Sequence, residues 1–192
     1  MAVVAIAGAA PAAWAQTGND WQQGTTLAGF IGAASPTAGV RPSMGAALGW
    51  ELTPHFTVEG RGLWLDAGPN ADAFAAVVGA RVPLRPARAV VPFLSAGVGV
   101  HRATFDSAPD DAPRFYQRRM RLDAPGFEAR TFDDFVVALG GGLDVFLASH
   151  LALRPEATVL LVTTRAEAHT VPVFGVHLAY HFESHPITPA RR

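Results

Sequence analysis

The chain has 192 residues, a formal net charge of −1, a mean hydropathy of +0.21 and no Cys. That length suits one domain with a sizeable core. The balanced charge leaves no broad field for nucleic acid, and the lack of Cys excludes disulfides and thiolate chemistry.

Residues 1–15 read as a secretory signal, with a short apolar core and an Ala13-Trp14-Ala15 cleavage pattern before Gln16. Residues 16–24 form a polar lead-in. Thr25 to Ser35 is the first strand candidate, ended by a turn at Pro36-Thr37-Ala38-Gly39. Arg41 to Leu52 sets Met44, Ala46, Leu48 and Trp50 against Ser43, Gly45, Ala47, Gly49 and Glu51. After Thr53-Pro54-His55, the stretch Phe56 to Leu65 turns Phe56, Val58 and Trp64 one way and Thr57, Glu59 and Arg61 the other. Asp66 to Asp72 is a loop by composition. Ala73 to Leu84 places Phe74, Ala76, Val78, Ala80 and Val82 opposite Ala75, Gly79 and Arg81. A short turn at Arg85-Pro86-Ala87-Arg88 leads into Val90 to Phe105, where Leu94, Ala96, Val98 and Val100 oppose Ser95, Gly97, Gly99 and His101.

A polar insert, 106–130, carries five acids and five Arg. So long a connection is usually functional or disordered. The clearest hairpin follows. Phe135, Val137, Leu139, Leu143, Val145 and Leu147 share one face, with Ala138, Gly140, Gly142 and Asp144 on the other. The turn Ala148-Ser149-His150 leads to a strand with Leu151, Leu153, Ala157 and Val159 against Arg154, Glu156 and Thr158. The last strand, Thr170 to Glu183, sets Phe174, Val176, Leu178, Tyr180 and Phe182 against Gly175, His177, Ala179 and His181. Residues 184–192 are a polar tail.

Period-2 alternation is the strand signal. Eight such segments, with short turns on one side and mixed loops on the other, predict an all-β fold: an eight-stranded antiparallel up-and-down barrel over residues 25–183. No run of about 18 apolar residues could cross a membrane as a helix. A transmembrane barrel spreads its apolar residues over alternate positions and turns them to lipid. A secreted soluble barrel carrying an apolar ligand would turn the same residues inward. Side-chain direction separates the two.

The stretch Gly140-Gly141-Gly142-Leu143-Asp144-Val145, followed by Leu153-Arg154-Pro155-Glu156-Ala157, resembles the small eight-stranded outer-membrane barrels of Gram-negative bacteria, the OmpA/OmpX-like family. Gly175, Leu178, Tyr180 and Phe182 resemble that family's C-terminal assembly signal. The resemblance covers about Thr25 to Phe182. It implies residence in the outer membrane among lipid and lipopolysaccharide, with recognition by the barrel assembly machinery. A monomer with a structural or surface-interaction role is expected.

Site expectations follow from the faces. Glu51, Glu59, Arg61, Arg81, Asp144, Arg154 and Glu156 point inward and, in a lumen this narrow, pair and close it. Asp144 is expected opposite Arg154, Glu59 beside Arg81, and Arg61 across the ring from Glu156. Trp50, Phe56, Trp64, Tyr180 and Phe182 fall at strand ends and suit a membrane interface. Arg114, Arg118, Arg119 and Arg121 in the insert suit phosphate; against this stands a solvated loop of balanced charge, dispensable for folding. No metal or cofactor is expected, because the seven His lack zinc-site spacing. Ser149-His150 and Ser184-His185 admit a lipid A-modifying enzyme as a lesser reading, since adjacent residues of a strand point to opposite faces. Pro155, within a strand, predicts a bulge or a local break in pairing.

Overall fold

The computed structural model describes residues 23–37, 39–68, 71–84, 89–106, 114–121, 130–163 and 167–183. The signal segment, the polar tail and the turn 85–88 lie outside them. The strands are β1 (Gly24–Thr37), β2 (Gly39–Thr53), β3 (Phe56–Gly68), β4 (Ala71–Pro83), β5 (Val90–Phe105), β6 (Arg130–Ala148), β7 (Leu151–Thr163) and β8 (Ala168–His181), with one helix, α1 (Arg114–Arg121), between β5 and β6. All strands pair with their chain neighbours, and β8 pairs with β1, so eight strands close a barrel. The predicted architecture is the observed one.

Following partners around the wall gives Gly24, Glu51, Thr57, Arg81, Ser95, Gly140, Thr158, Val173 and then Ala34. The circuit returns to β1 ten residues from where it left, a shear of ten. With eight strands this stagger goes with a tilt of about 40° and an interior only wide enough for side chains.

The apolar face is outside. Leu143, Leu153 and Leu178 are exposed, as are Leu94, Val98, Phe135 and Phe174. On β5 the outward positions from Val90 to Val100 are all apolar, Pro92 and Ala96 included. Ten residues of rise at about 3.3 Å, tilted about 40°, give a band roughly 25 Å tall, the height of an outer-membrane hydrocarbon belt. Above it the wall turns polar at Arg102 and Asp133, which pair at 2.6 Å. A soluble carrier would need Leu143, Leu153 and Leu178 inside, so the structure overturns that alternative.

Several boundaries differ from the sequence reading. Asp66 to Asp72 is mostly strand: Asp66 pairs with Asp72 and Gly68 with Ala71. The connection tightens because Gly68 adopts φ +113, a region open to glycine, and its N–H donates to Asp66 Oδ1 at 2.8 Å. β6 starts at Arg130, not Phe135. The β6–β7 ladder lapses at Leu143 and Asp144, opposite Pro155 and Arg154, and resumes at Val145 with Leu153 in the same register. That is the local break expected where proline has no N–H to donate.

The lumen has three storeys. At the loop end Leu63, Leu65, Phe105, Phe132, Leu160 and Val162 belong to one buried apolar cluster. At the short-turn end lies a smaller one that includes Val91, Phe146 and Ala152. Charged side chains occupy the space between. The sequence reading named the inward charges but not the two apolar clusters above and below them. The period-2 reading separates two faces but does not say that the inner face changes chemistry along its length.

Candidate functional site

Six of the seven inward charges predicted from alternation converge. Asp144 accepts from Arg154 Nε at 2.5 Å and from Arg81 Nη1 at 2.5 Å. Glu59 accepts from Arg154 Nη1 at 3.1 Å and lies 3.6 Å from Arg81 Nε. Arg61 bridges the lumen, donating to Glu59 at 2.5 Å on its own strand and to Glu156 at 2.7 Å on β7, the strand opposite in the ring. Three guanidinium groups therefore meet three carboxylates. His177 Nε2 lies 3.3 Å from Glu156 Oε2, and Ser95 and Thr158 hydroxyls donate to Glu156 Oε1 at 3.4 and 2.9 Å.

Burial of this kind is costly unless every charge is paired. Here the pairing geometry comes from the strands. Neighbours two apart on one strand share a face, as Glu59 with Arg61 and Arg154 with Glu156 do. Inward glycines make the room. A Cβ on Gly142 would lie 2.9 Å from the ring tip of Phe93 and 2.3 Å from the Pro155 carbonyl. Phe93 in turn lies under two cations, 5.4 Å from Arg81 and 5.6 Å from Arg154. Phe93 escaped the sequence reading. Its signal was a bulky inward residue on β5 directly opposite Gly142.

A void of about 20 Å³ beside Glu59, Arg61, Ser95 and Thr158 has room for about one water. Glu51, the seventh predicted charge, is not part of this network. It lies nearer the short-turn end, with His181 Nδ1 at 3.1 Å and the Thr26 hydroxyl at 3.3 Å.

The insert 106–130 is not merely a solvated loop. α1 buries Phe115 and Tyr116 in the loop-end cluster. Tyr116 packs on Phe105 and Phe132 at 5.1 and 5.7 Å between ring centres, and its hydroxyl lies 3.3 Å from His101 Nδ1. Burial pushes the Tyr116 phenol well above its ordinary range, with Asp134 adding to the effect. The phenol stays protonated, and it shares a hydrogen bond with His101 Nδ1. Arg119 turns inward to Asp134 at 2.6 Å and covers the Phe132 ring at 4.4 Å. Arg118 is exposed and pairs with Glu167. The side chains of Arg114 and Arg121 lie outside the described residues. The predicted loop cluster thus divides, with one arginine serving the core and another facing out. The signal for α1 was Phe115, Tyr116 and Arg119 on one helical face.

Four predicted interface aromatics, Trp50, Phe56, Tyr180 and Phe182, gather at the short-turn end, where Tyr180 and Phe182 meet edge to face at 5.4 Å. Trp64 sits toward the loop end, paired in register with Phe74. His150 shows no nucleophile geometry with Ser149: its Nδ1 lies 2.9 Å from the His181 carbonyl oxygen, and its ring stacks on Tyr180. Ser184 and His185 lie outside the described residues.

A family model described as "Outer membrane protein beta-barrel domain" matches residues 1–182. No curated protein matches the chain in sequence. Among solved structures, the N-terminal β-barrel domain of Pseudomonas aeruginosa OprF is similar at 12% identity and TM-score 0.58, over 84% of this chain and 100% of that one. Neisserial surface protein A is similar at 11% identity and TM-score 0.56, over 82% of this chain and 96% of that one. Ail, the attachment invasion locus protein of Yersinia pestis, is similar at 11% identity and TM-score 0.51, over 83% and 97%. At these identities the likeness is one of fold.

Proposed function

The chain belongs to the outer membrane protein β-barrel family and resides in the outer membrane of a Gram-negative bacterium, and from that premise we propose that it is a closed barrel with a structural or surface-interaction role. One observation carries the reading. The lumen is crossed by a charge-neutral network, Glu59, Arg61, Arg81, Asp144, Arg154 and Glu156, that joins opposite walls through Arg61 and Glu156. A solute crossing it would have to separate buried ion pairs, each costing several kcal/mol to break. Above it, the apolar storey and α1 stand in the same path.

Planar bilayers test the idea. The protein should give at most small, flickering conductance, and large, steady channels would mean that the charges line an open route. Function then lies on the outside. The wall contacts lipid, Trp50, Phe56, Trp64, Tyr180 and Phe182 serve as interface anchors, and β8 is the segment read by the assembly machinery. We place contact with lipopolysaccharide phosphate at α1. Arg118 is 70% exposed on its side chain and, among the described residues, pairs with the partly exposed Glu167, a pair weak enough for a phosphate to replace the carboxylate. Loss of lipopolysaccharide binding in Arg118→Ala, with the fold intact, is the expected result. The role is non-catalytic and the protein monomeric. Mutating Ser149 should leave lipid A composition unchanged.

A further inference from the structure

The outer wall is not smooth. Its outward positions on β1, β6 and β7 include Gly29, Ala33, Gly141 and Ala157 among bulkier neighbours. Two open grooves result, of about 800 and about 810 Å³. The first follows the register partners Gly141, Ala157, Phe174 and Ala33 across β6, β7, β8 and β1. The second follows Leu153, Leu178, Gly29 and Ala46 across β7, β8, β1 and β2. Each crosses three strand spacings, about 14 Å. Ile31 and Val176, themselves register partners, line both grooves and form the ridge between them. The floors at Gly32 and Phe30 are two residues apart on β1, so the grooves run side by side about 7 Å apart.

Both grooves belong to the lipid-facing band. Gly141 is the partner of Leu94, midway along the outward apolar run of β5. In hydrocarbon a groove gains nothing from apolar burial, because lipid tails are as apolar as leucine. It gains contacts, each small and large only in sum. An acyl chain lying in a groove touches a floor and two banks, whereas one on a smooth wall touches a single surface. The relief does not suit a second barrel. Ile31 is 73% exposed and Phe174 60%, and another convex wall would rest on these two side chains and leave the grooves empty. Flexible chains pass around them. The outward side chains bordering the grooves are apolar, so among the described residues nothing there selects an anionic head group, and a zwitterionic one, which carries its own counter-charge, needs no partner.

We propose that the paired grooves are a binding site for one zwitterionic diacyl phospholipid, with an acyl chain in each groove and Ile31 between the two chains. The site depends on the wall being lipid-facing, and it singles out one lipid from the shell that surrounds the barrel. Two chains joined at one head group suit two grooves joined at one ridge. Once the first chain is seated, the second is held close to its own groove, so the pair binds more tightly than either chain alone.

The test is native mass spectrometry of the folded full chain, released from octyl glucoside micelles that contain dimyristoyl phosphatidylethanolamine. One lipid per chain should stay bound, saturably, and the single-chain lyso form should bind at least about tenfold more weakly. Gly29→Leu fills the second groove and Ala157→Leu the first, and each should abolish retention. A Cβ on Gly29 meets nothing within 4 Å, so the new side chain enters the groove without disturbing the wall. Gly60→Leu is the control: a Cβ there also meets nothing within 4 Å, and Gly60 lines neither groove. That variant should keep the lipid. Equal retention in all three variants, or a lipid number that never saturates, would reduce the bound lipid to the ordinary shell and overturn the proposal. So would displacement by lipid A at equal concentration, or a dimer of the unmutated chain that Gly29→Leu disperses, which would give the grooves to a second copy. Heat-dependent gel mobility after refolding into vesicles separates the two readings. A chain that inserts but retains no lipid loses only the site, whereas one that never inserts loses the lipid-facing wall as well. If a variant fails to fold, the comparison of diacyl and lyso lipid on the unmutated chain decides the matter.

Discussion

Asp144→Ala and Arg154→Ala, made singly and together, should reveal whether the central charges act as one unit. Asp144 is the shared acceptor of Arg81 and Arg154, each at 2.5 Å. Removing it leaves three buried cations facing two carboxylates, and an uncompensated buried charge costs about 3–5 kcal/mol. Arg154→Ala reverses the imbalance, leaving Glu59 and Asp144 with one cation fewer, at a similar cost. The double variant restores balance. Arg61 still holds Glu59 at 2.5 Å and Glu156 at 2.7 Å, and Arg81 lies 3.6 Å from Glu59. Independent effects would sum to about 6–10 kcal/mol, whereas a balanced remainder predicts about 4–7 kcal/mol, a coupling of about 2–3 kcal/mol. Equilibrium unfolding by urea in phospholipid vesicles, followed by Trp fluorescence and gel mobility, measures all three variants. A double variant equal to the sum of the singles within about 0.5 kcal/mol would refute the reasoning. So would single variants that each cost under about 1 kcal/mol, the range of solvent-screened pairs.

Three further outcomes are expected. Replacing 106–130 with a Gly/Ser linker should weaken the barrel, because Phe115 and Tyr116 are buried in its core; Phe115→Ala alone should cost about 3–5 kcal/mol in the same unfolding assay, and an unchanged midpoint would return the insert to the status of a dispensable loop. Gly175→Ala should destabilise by about 1–3 kcal/mol or more, since the new methyl would lie 2.0 Å from Phe30 Cε2 and 2.6 Å from the Ile31 carbonyl oxygen. Adding Phe30→Ala should relieve the first clash but not the second, so partial rescue is the expected reading. Expressed without residues 1–15, the chain should be insoluble in buffer and shift on unheated gels after refolding in micelles; a stable detergent-free monomer would contradict the outward apolar wall.

The wall was legible because its rule is simple. Alternation along β6 and β7 separates Leu143 and Leu153 from Asp144 and Arg154, and the tight turn between them fixes which residues face each other. Even the break at Pro155 follows from a missing N–H. The inner face was legible only where it is charged. Ala71, Ala73 and Ala75 alternate with Asp72, Phe74 and Ala76, a pattern too weak to mark an apolar storey. What makes that storey solid is α1, packed from a distant part of the chain, and no local period encodes such a partner. Glu51 shows a related limit. Alternation places it inward, but only the stagger of the strands decides that it meets His181 rather than Arg81. Likewise Asp66 to Asp72 has loop composition, yet a single positive φ at Gly68 lets the ladder run almost to the tip.

The neutral network is divided between two hairpins. Glu59, Arg61 and Arg81 belong to β3 and β4, and Asp144, Arg154 and Glu156 to β6 and β7. Before closure the first hairpin's share of the network therefore carries one excess positive charge and the second's share one excess negative charge. Neither can lodge alone in hydrocarbon without exposing an unmatched ion to it, a cost of about 2–4 kcal/mol for an arginine near the midplane and less for a carboxylate. Each hairpin is the other's counterion. Entry into the membrane and closure of the ring are thereby linked, because a half-built barrel is an electrically incomplete one. The attraction that joins the halves also sets them face to face across the lumen, so that the same six side chains that span the finished barrel's interior favour its assembly as a whole.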